Sequence, residues 1–204
     1  MKSPRSPKPF DYPEKPLERR HAPRGYKRYA QYRPWLRDEF CFRCVYCMKR
    51  ETWNEQRKEW HLDHFIPQAE EKALRNDYEN LVYSCPSCNM TKRDSRVPDP
   101  FLIAYGKSVE VCETGEIRAL DKNGKRLIGE LGLDDEDYTR MRRKFISLLR
   151  ACLANRLDEQ LHEFFGYPEN MPDLSNETPP DGNENSGSEN QSFFARRATL
   201  PAYF

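Results

Sequence analysis

The chain has 204 residues, 37% of them hydrophobic and 33% charged, with a formal net charge of +1. That length suits one compact domain with tails, and the polar balance leaves only a modest core. No apolar run is long enough to span a bilayer and Met1–Arg5 lacks the apolar stretch of a secretory signal, so a cytoplasmic protein is expected.

The first segment, 1–37, reads as an extended arm. Its prolines (Pro4, Pro7, Pro9, Pro13, Pro16, Pro23 and Pro34) are too dense for a helix. Residues 1–40 carry 11 Lys/Arg against 5 Asp/Glu, which suits a phosphate backbone or, equally, a solvated tail. Tyr26, Tyr29, Tyr32 and Trp35 interleave with Lys27, Arg28, Arg33 and Arg37. Such rings either stack on bases or anchor the arm to the domain, and anchoring is the favoured reading.

The core region, 38–100, opens on Cys44-Val45-Tyr46-Cys47 and returns to Cys85-Pro86-Ser87-Cys88. The chain has an odd seven cysteines, and two C-x-x-C pairs in a reducing compartment favour a metal over disulfides. Two such turns supply the four thiolates of a closed tetrahedral zinc, which is structural because no coordination position stays open. Cys41, three residues before Cys44, offers another register; the Cys44/Cys47 pair is preferred, with Cys41, Cys112 and Cys152 as buried thiols. Between the pairs, alternation through Trp60, Leu62 and His64 predicts a strand, and Asn80–Ser84 a second one running into a helix that starts at the Cys85 turn.

Residues 101–166 are expected to hold a β-hairpin or pair of hairpins over Lys107–Ile128, with Thr114-Gly115 and Asn123-Gly124 as turn signals. Leu133-Asp134-Asp135-Glu136 then starts a helix. Tyr138, Met141, Phe145, Leu148, Leu149, Cys152 and Leu153 form its apolar stripe; Arg140, Arg142, Arg143, Lys144 and Arg150 form a solvated basic face. The last segment, 167–204, is rich in Pro, Asn, Ser and Gly and, from residue 166, carries 2 Lys/Arg against 6 Asp/Glu. It is expected to be a disordered acidic tail, and Ser192–Arg197 a frayed end rather than a docking peptide.

Cys44-x-x-Cys47, Asp63-His64-x-x-Pro67, Asn80-Leu81 and Cys85-x-x-Cys88-Asn89-x-x-Lys92 together resemble the HNH endonuclease family in its four-cysteine form. The final signature position holds Asn89 rather than His, a variation common in that family. The resemblance implies an α+β fold: a ββα-metal (His-Me finger) core with structural zinc knuckles, then the hairpin and a C-terminal helix, with disordered tails. It also implies metal-dependent cleavage of nucleic acid, with DNA the preferred substrate. His64 would be the general base, since an imidazole takes a proton from water at physiological pH. Asp63 and Asn89 would hold a catalytic Mg²⁺ or Mn²⁺, and Asn80 would fix the loop that orients His64. Lys92, on the helix face of Asn89, would contact a phosphate, with Arg93, Arg96 and His61 as further contacts. The stretch from Gly124-Lys125 through Ile128, Leu131, Gly132 and Leu133 also resembles small bacterial HNH proteins of mobile elements and of phage-defence systems, where a separate ATPase subunit is the implied partner. The competing readings are an RNase of the same fold and a non-catalytic zinc-ribbon module; the second gives no reason for Asp63, His64 and Asn89 to occur together.

Overall fold

A computed structural model describes residues 8–53, 60–184 and 188–201. The first helix, α1 (Arg33–Glu39), starts with a proline in its first turn, where no hydrogen bond is lost, and buries Trp35 and Leu36 completely. It crosses the boundary expected at residue 37. Its last two residues, Asp38 and Glu39, hold the incoming arm: Asp38 Oδ1 lies 2.8 Å from His21 Nε2, and Glu39 accepts from the backbone N–H groups of Arg20 (2.7 Å) and His21 (3.0 Å). The rings of the arm therefore anchor it, as preferred from the sequence, with Phe10, Tyr12 and Tyr32 joining the core.

After α1 the chain turns through Cys41 and Phe42, both at left-handed φ (53° and 57°), into the first knuckle. The knuckle is a tight hairpin in which Cys44 N donates to Lys49 O (2.8 Å) and Val45 N to Tyr83 O (3.0 Å). The two strands of the central ribbon are β1 (His61–His64) and β2 (Leu81–Ser84). They pair antiparallel in the register His61↔Ser84 to His64↔Leu81. β2 is buried along its whole length, and Tyr83 stacks on Trp60 with ring centroids 5.0 Å apart. β2 runs directly into α2 (Pro86–Lys92), with Cys85 at the cap and Pro86 in the first turn. The strand–strand–helix order and the mixed α+β class match the sequence reading.

Downstream, the one-turn α3 (Tyr105–Ser108) leads into a hairpin of β3 (Val109–Val111) and β4 (Ile117–Ala119), closed at Thr114-Gly115 as expected. The second expected hairpin is not there. Lys122–Leu131 is helix α4, because Asp121 caps it: its carboxylate accepts from Gly124 N (2.7 Å) and Ser108 Oγ (3.0 Å). Leu127, Ile128 and Leu131 supply the buried stripe, and Gly132 ends the helix at φ +58°. Gly124 marks a close approach of α4 to the Ser108 backbone rather than a turn, since a Cβ there would lie 1.9 Å from Ser108 O. Gly129, in the same helix, faces open space. Gly124→Ala is therefore expected to lower stability by about 1–3 kcal/mol through backbone displacement, whereas Gly129→Ala should raise it by about 0.5–1 kcal/mol through helix propensity. Thermal melts of the two variants make the comparison.

α5 (Glu136–Asn155) begins at an Asp135 cap, as the acidic start signal predicted, and α6 (Asp158–Phe165) folds back on it. Trp53 stacks on Phe145 of α5 at 3.8 Å and donates from Nε1 to Phe164 O (2.6 Å), tying the chain beyond the knuckle to both helices. Arg142 departs from the expected solvated face. It is fully buried and its Nε donates to Gly115 O (2.5 Å), because the β3–β4 turn lies over that side of α5. Cys152 is buried, while Cys41 and Cys112 are only half-buried.

The expected disorder of 167–204 does not hold for its described part. Leu174 is completely buried, Asn183 Oδ1 accepts from Ala22 N (3.0 Å), and the Phe193 ring packs against Phe42. Phe193 N also donates to the buried Asp38 carboxylate (2.7 Å). A few apolar anchors and a buried acceptor hold a segment whose average composition is too polar to form a core of its own. No described helix is long and apolar enough to cross a membrane.

Candidate active site

The four cysteines of the two C-x-x-C pairs come together. The Sγ atoms of Cys44, Cys47, Cys85 and Cys88 all lie within 4.8 Å of one another, and all four residues are buried. Thiol hydrogen bonds donated to Cys85 hold it well below the ordinary thiol range. Burial pushes Cys47 up, and the hydrogen bonds that Cys88 makes to its neighbours push it up as well. Four buried negative sulfurs would require a cation among them. The donor set and its spacing fit a tetrahedral structural zinc. Tyr138 of α5 adds a contact that its place in an apolar stripe did not suggest: its hydroxyl lies 3.3 Å from Cys88 Sγ. A hydrogen bond to a ligand sulfur joins the long helix to the knuckle.

Beside this knot, β1 delivers Asp63 and His64, both nearly buried. The two oxygens of Asp63 are held from opposite sides. Tyr46 Oη, from inside the first knuckle, donates to Oδ2 (2.6 Å), and Lys92 Nζ, from the end of α2, approaches Oδ1 (3.3 Å). Burial raises the Asp63 pKa above the usual carboxylate range, opposed by the Lys92 charge and the Tyr46 hydrogen bond. The same ammonium donates to His64 O (2.9 Å), so Lys92 ties α2 to both site residues of β1.

The surroundings of His64 define its tautomer. Nε2 lies 2.9 Å from Arg75 O. A carbonyl only accepts, so Nε2 carries the proton and Nδ1 keeps the lone pair. Nδ1 faces the side-chain amide nitrogen of Gln68 at 3.1 Å. Asn80 fixes the intervening loop: its Oδ1 accepts from Ile66 N (2.7 Å), and its Nδ2 donates to Ile66 O (3.0 Å) and Leu74 O (3.4 Å). Arg75, the residue after Leu74, supplies the carbonyl that His64 uses. Asn80→Ala should therefore act twice: about 1–3 kcal/mol of lost stability from stranded loop groups, and a loosened His64 ring. Melting curves and the nuclear magnetic resonance line shapes of the imidazole separate the two effects.

Asn89 sits half-buried on α2 one turn before Lys92, and its carboxamide makes no hydrogen bond to any described residue. Lys92 corrects the expectation of a phosphate contact: it is fully buried and engaged with β1, not presented to a strand arriving from solvent. Arg96 is exposed but paired with Glu70 (2.5 Å). Arg93 is exposed at the end of α2, at φ +46°, and His61 is exposed opposite Ser84.

Residues 44–95, about a quarter of the chain, match the family model described as HNH endonuclease. This segment is an HNH domain. Its boundaries enclose both cysteine pairs and the whole β1–β2–α2 unit. The family that this segment matches is one of endonucleases. No curated protein matches the chain.

The HNH site also has the donor chemistry for a second, hard cation. The two Asp63 oxygens each accept one hydrogen bond and retain lone pairs, and the Asn89 carboxamide is unengaged by described residues. Tyr46, Gln68 and Arg75 are the site groups that sequence reading missed. Tyr46 was visible only as a spacer between cysteines, Gln68 only as a loop residue, and Arg75 contributes through its backbone, which no side-chain pattern reports.

Proposed function

We propose that this protein is an endodeoxyribonuclease that hydrolyses one DNA strand per event, leaving 5′-phosphate and 3′-hydroxyl ends. The observation that carries the reading is the state of His64: Nε2 anchored on a carbonyl, Nδ1 a proton acceptor, beside the buried carboxylate of Asp63. In the proposed reaction, a water displaces the Gln68 amide from His64 Nδ1 and gives that nitrogen its proton while its oxygen bonds to phosphorus. The P–O3′ bond breaks, and the departing 3′ oxygen takes a proton from solvent. Arg75 O stabilises the imidazolium, and Asn80 keeps that carbonyl in place. Asp63 and Asn89 would hold a Mg²⁺ or Mn²⁺ ion, which supplies neutralisation of charge on the phosphate and the leaving oxygen when bound. Tyr46 and Lys92 keep the Asp63 carboxylate aimed.

A single site of this kind nicks, so a double-strand break would need a dimer or two successive events. The test is incubation of supercoiled plasmid and of RNA with zinc-loaded protein and Mg²⁺. Open-circular DNA with ligatable ends is expected. Cleavage of RNA alone would assign the RNase reading, and intact substrates throughout would leave the zinc-ribbon module. A setting in phage defence or a mobile element, with a separate ATPase chain, is proposed from the resemblance to small bacterial HNH proteins. Co-purification with an ATPase encoded next to the gene tests it.

A further inference from the structure

Of the exposed cations without an acidic partner among the described residues, Arg93 lies on the signature motif and others lie on the arm. Lys92 is buried on Asp63 and Arg96 is paired with Glu70. By contrast, Lys27 and Arg28 are exposed with no acidic partner among the described residues, and they lie on the arm, before the start of the HNH domain at residue 44. This part of the arm is fixed against the site by three contacts. Tyr29 N donates to Asn76 Oδ1 (3.0 Å), Asn76 Nδ2 donates back to Lys27 O (3.0 Å), and the Tyr29 ring meets the His64 imidazole edge-on, with centroids 4.9 Å apart at 73°. Asn76 directly follows Arg75, whose carbonyl holds His64 Nε2. One clasp therefore places the arm turn and another places the imidazole, on consecutive residues of the same loop. Upstream, the arm is clamped by the buried Asp38 and Glu39 carboxylates, so the turn is not a free tail.

We propose that the turn Lys27–Tyr29 is part of the active site. Lys27 and Arg28 take backbone phosphates of the DNA strand beside the scissile bond, and Tyr29 is a positioning residue that holds the His64 ring in its working orientation. The HNH segment 44–95 is then an incomplete catalytic unit without the arm. This rests on the nuclease reading above. The chemistry is that of phosphate recognition: two unpaired cations carried on a rigid turn gain from counterion release and lose little entropy on binding. The ring adds a wall that limits rotation of an imidazole otherwise held at its two nitrogens.

Binding and turnover are tested separately. In a His64→Ala background, which removes cleavage, a short fluorescent DNA duplex is titrated at several salt concentrations with and without Lys27→Gln/Arg28→Gln. Weaker binding by tenfold or more is expected, with the log–log salt slope reduced by about two. Unchanged affinity and slope would overturn the phosphate assignment. In the otherwise intact protein, Tyr29→Ala should lower kcat roughly ten- to a hundredfold at constant KM, and Tyr29→Phe, which keeps the ring, should restore it. A Tyr29→Ala enzyme with ordinary kcat, or a loss that Tyr29→Phe does not restore, would overturn the positioning role. If the wild type cleaves nothing while the double variant still loses DNA binding, the nuclease reading fails and the binding surface stands. If the wild type cleaves and none of these variants matters, the surface fails and the nuclease reading stands.

Discussion

His64→Ala is expected to lower the single-turnover rate of plasmid nicking by roughly 10²–10⁴-fold, the range that general-base removal typically costs. The protein should stay folded. The side chain contributes two hydrogen bonds, one to Arg75 O and one with Gln68, at the edge of the ribbon rather than in the middle of the core. Loss of about 1 kcal/mol is the scale for such an unpaired carbonyl with access to water. The variant is more informative than Asp63→Ala, because removal of the Asp63 carboxylate leaves the fully buried Lys92 ammonium without its counter-charge. Breaking a buried pair in this way costs about 3–5 kcal/mol, so loss of activity there would be mixed with loss of fold. Asp63→Asn also removes that counter-charge, but it keeps the shape and can keep an oxygen acceptor beside Lys92, so it is the better companion when read together with a melting curve. A His64→Ala protein that nicks at the wild-type rate would remove the imidazole from the reaction.

The largest effect on stability is expected from the knuckle. Cys85→Ser, or exhaustive chelation, should abolish the cooperative thermal transition rather than shift it. The four cysteines belong to the same buried cluster as Trp35, Trp60, Leu81 and Tyr83. Zinc binding at such sites is worth roughly 10 kcal/mol or more of folding free energy, comparable with the total stability of an ordinary domain. Loss of the ion should also release the grip on Asp63, since Tyr46 stands between two of the zinc-ligand candidates. Zinc content by elemental analysis should be one ion per chain, falling with acidification as protons compete for the thiolates. Cys41→Ser and Cys112→Ser, both outside the cluster, should keep the metal and the transition. An apo-protein with an unchanged melt would contradict the structural role.

How legible these features were depended on how far apart the interacting groups lie in the chain. The knuckle was readable because a C-x-x-C turn is local and its chemistry needs no other context. The β1–β2–α2 order followed from short apolar runs with Pro67 and Pro86 at their ends, and the start of α5 followed from acidic residues at a helix N-terminus. Failures came where a distant group decides the outcome. Asn123-Gly124 looks like a turn, but the Asp121 cap and the need to pass beneath the Ser108 carbonyl make it the first turn of α4. Lys92 and Arg142 look like solvated charges until Asp63 and the Gly115 carbonyl are placed against them. The C-terminal segment has the composition of a disordered tail, yet Leu174 and Phe193 find buried seats among its described residues. Pairing between distant sites leaves little trace in local sequence.

The most direct measurement is divalent-ion binding at the second site, followed by Mn²⁺ electron paramagnetic resonance on zinc-loaded protein alongside nicking of supercoiled DNA. One Mn²⁺ per chain is expected, with the nicking rate rising in step with occupancy, and both lost together in Asp63→Asn and weakened in Asn89→Ala. Nicking that persists at full rate without any added divalent ion, or Mn²⁺ bound equally well by wild type and Asp63→Asn, would contradict a catalytic centre built on β1 and α2.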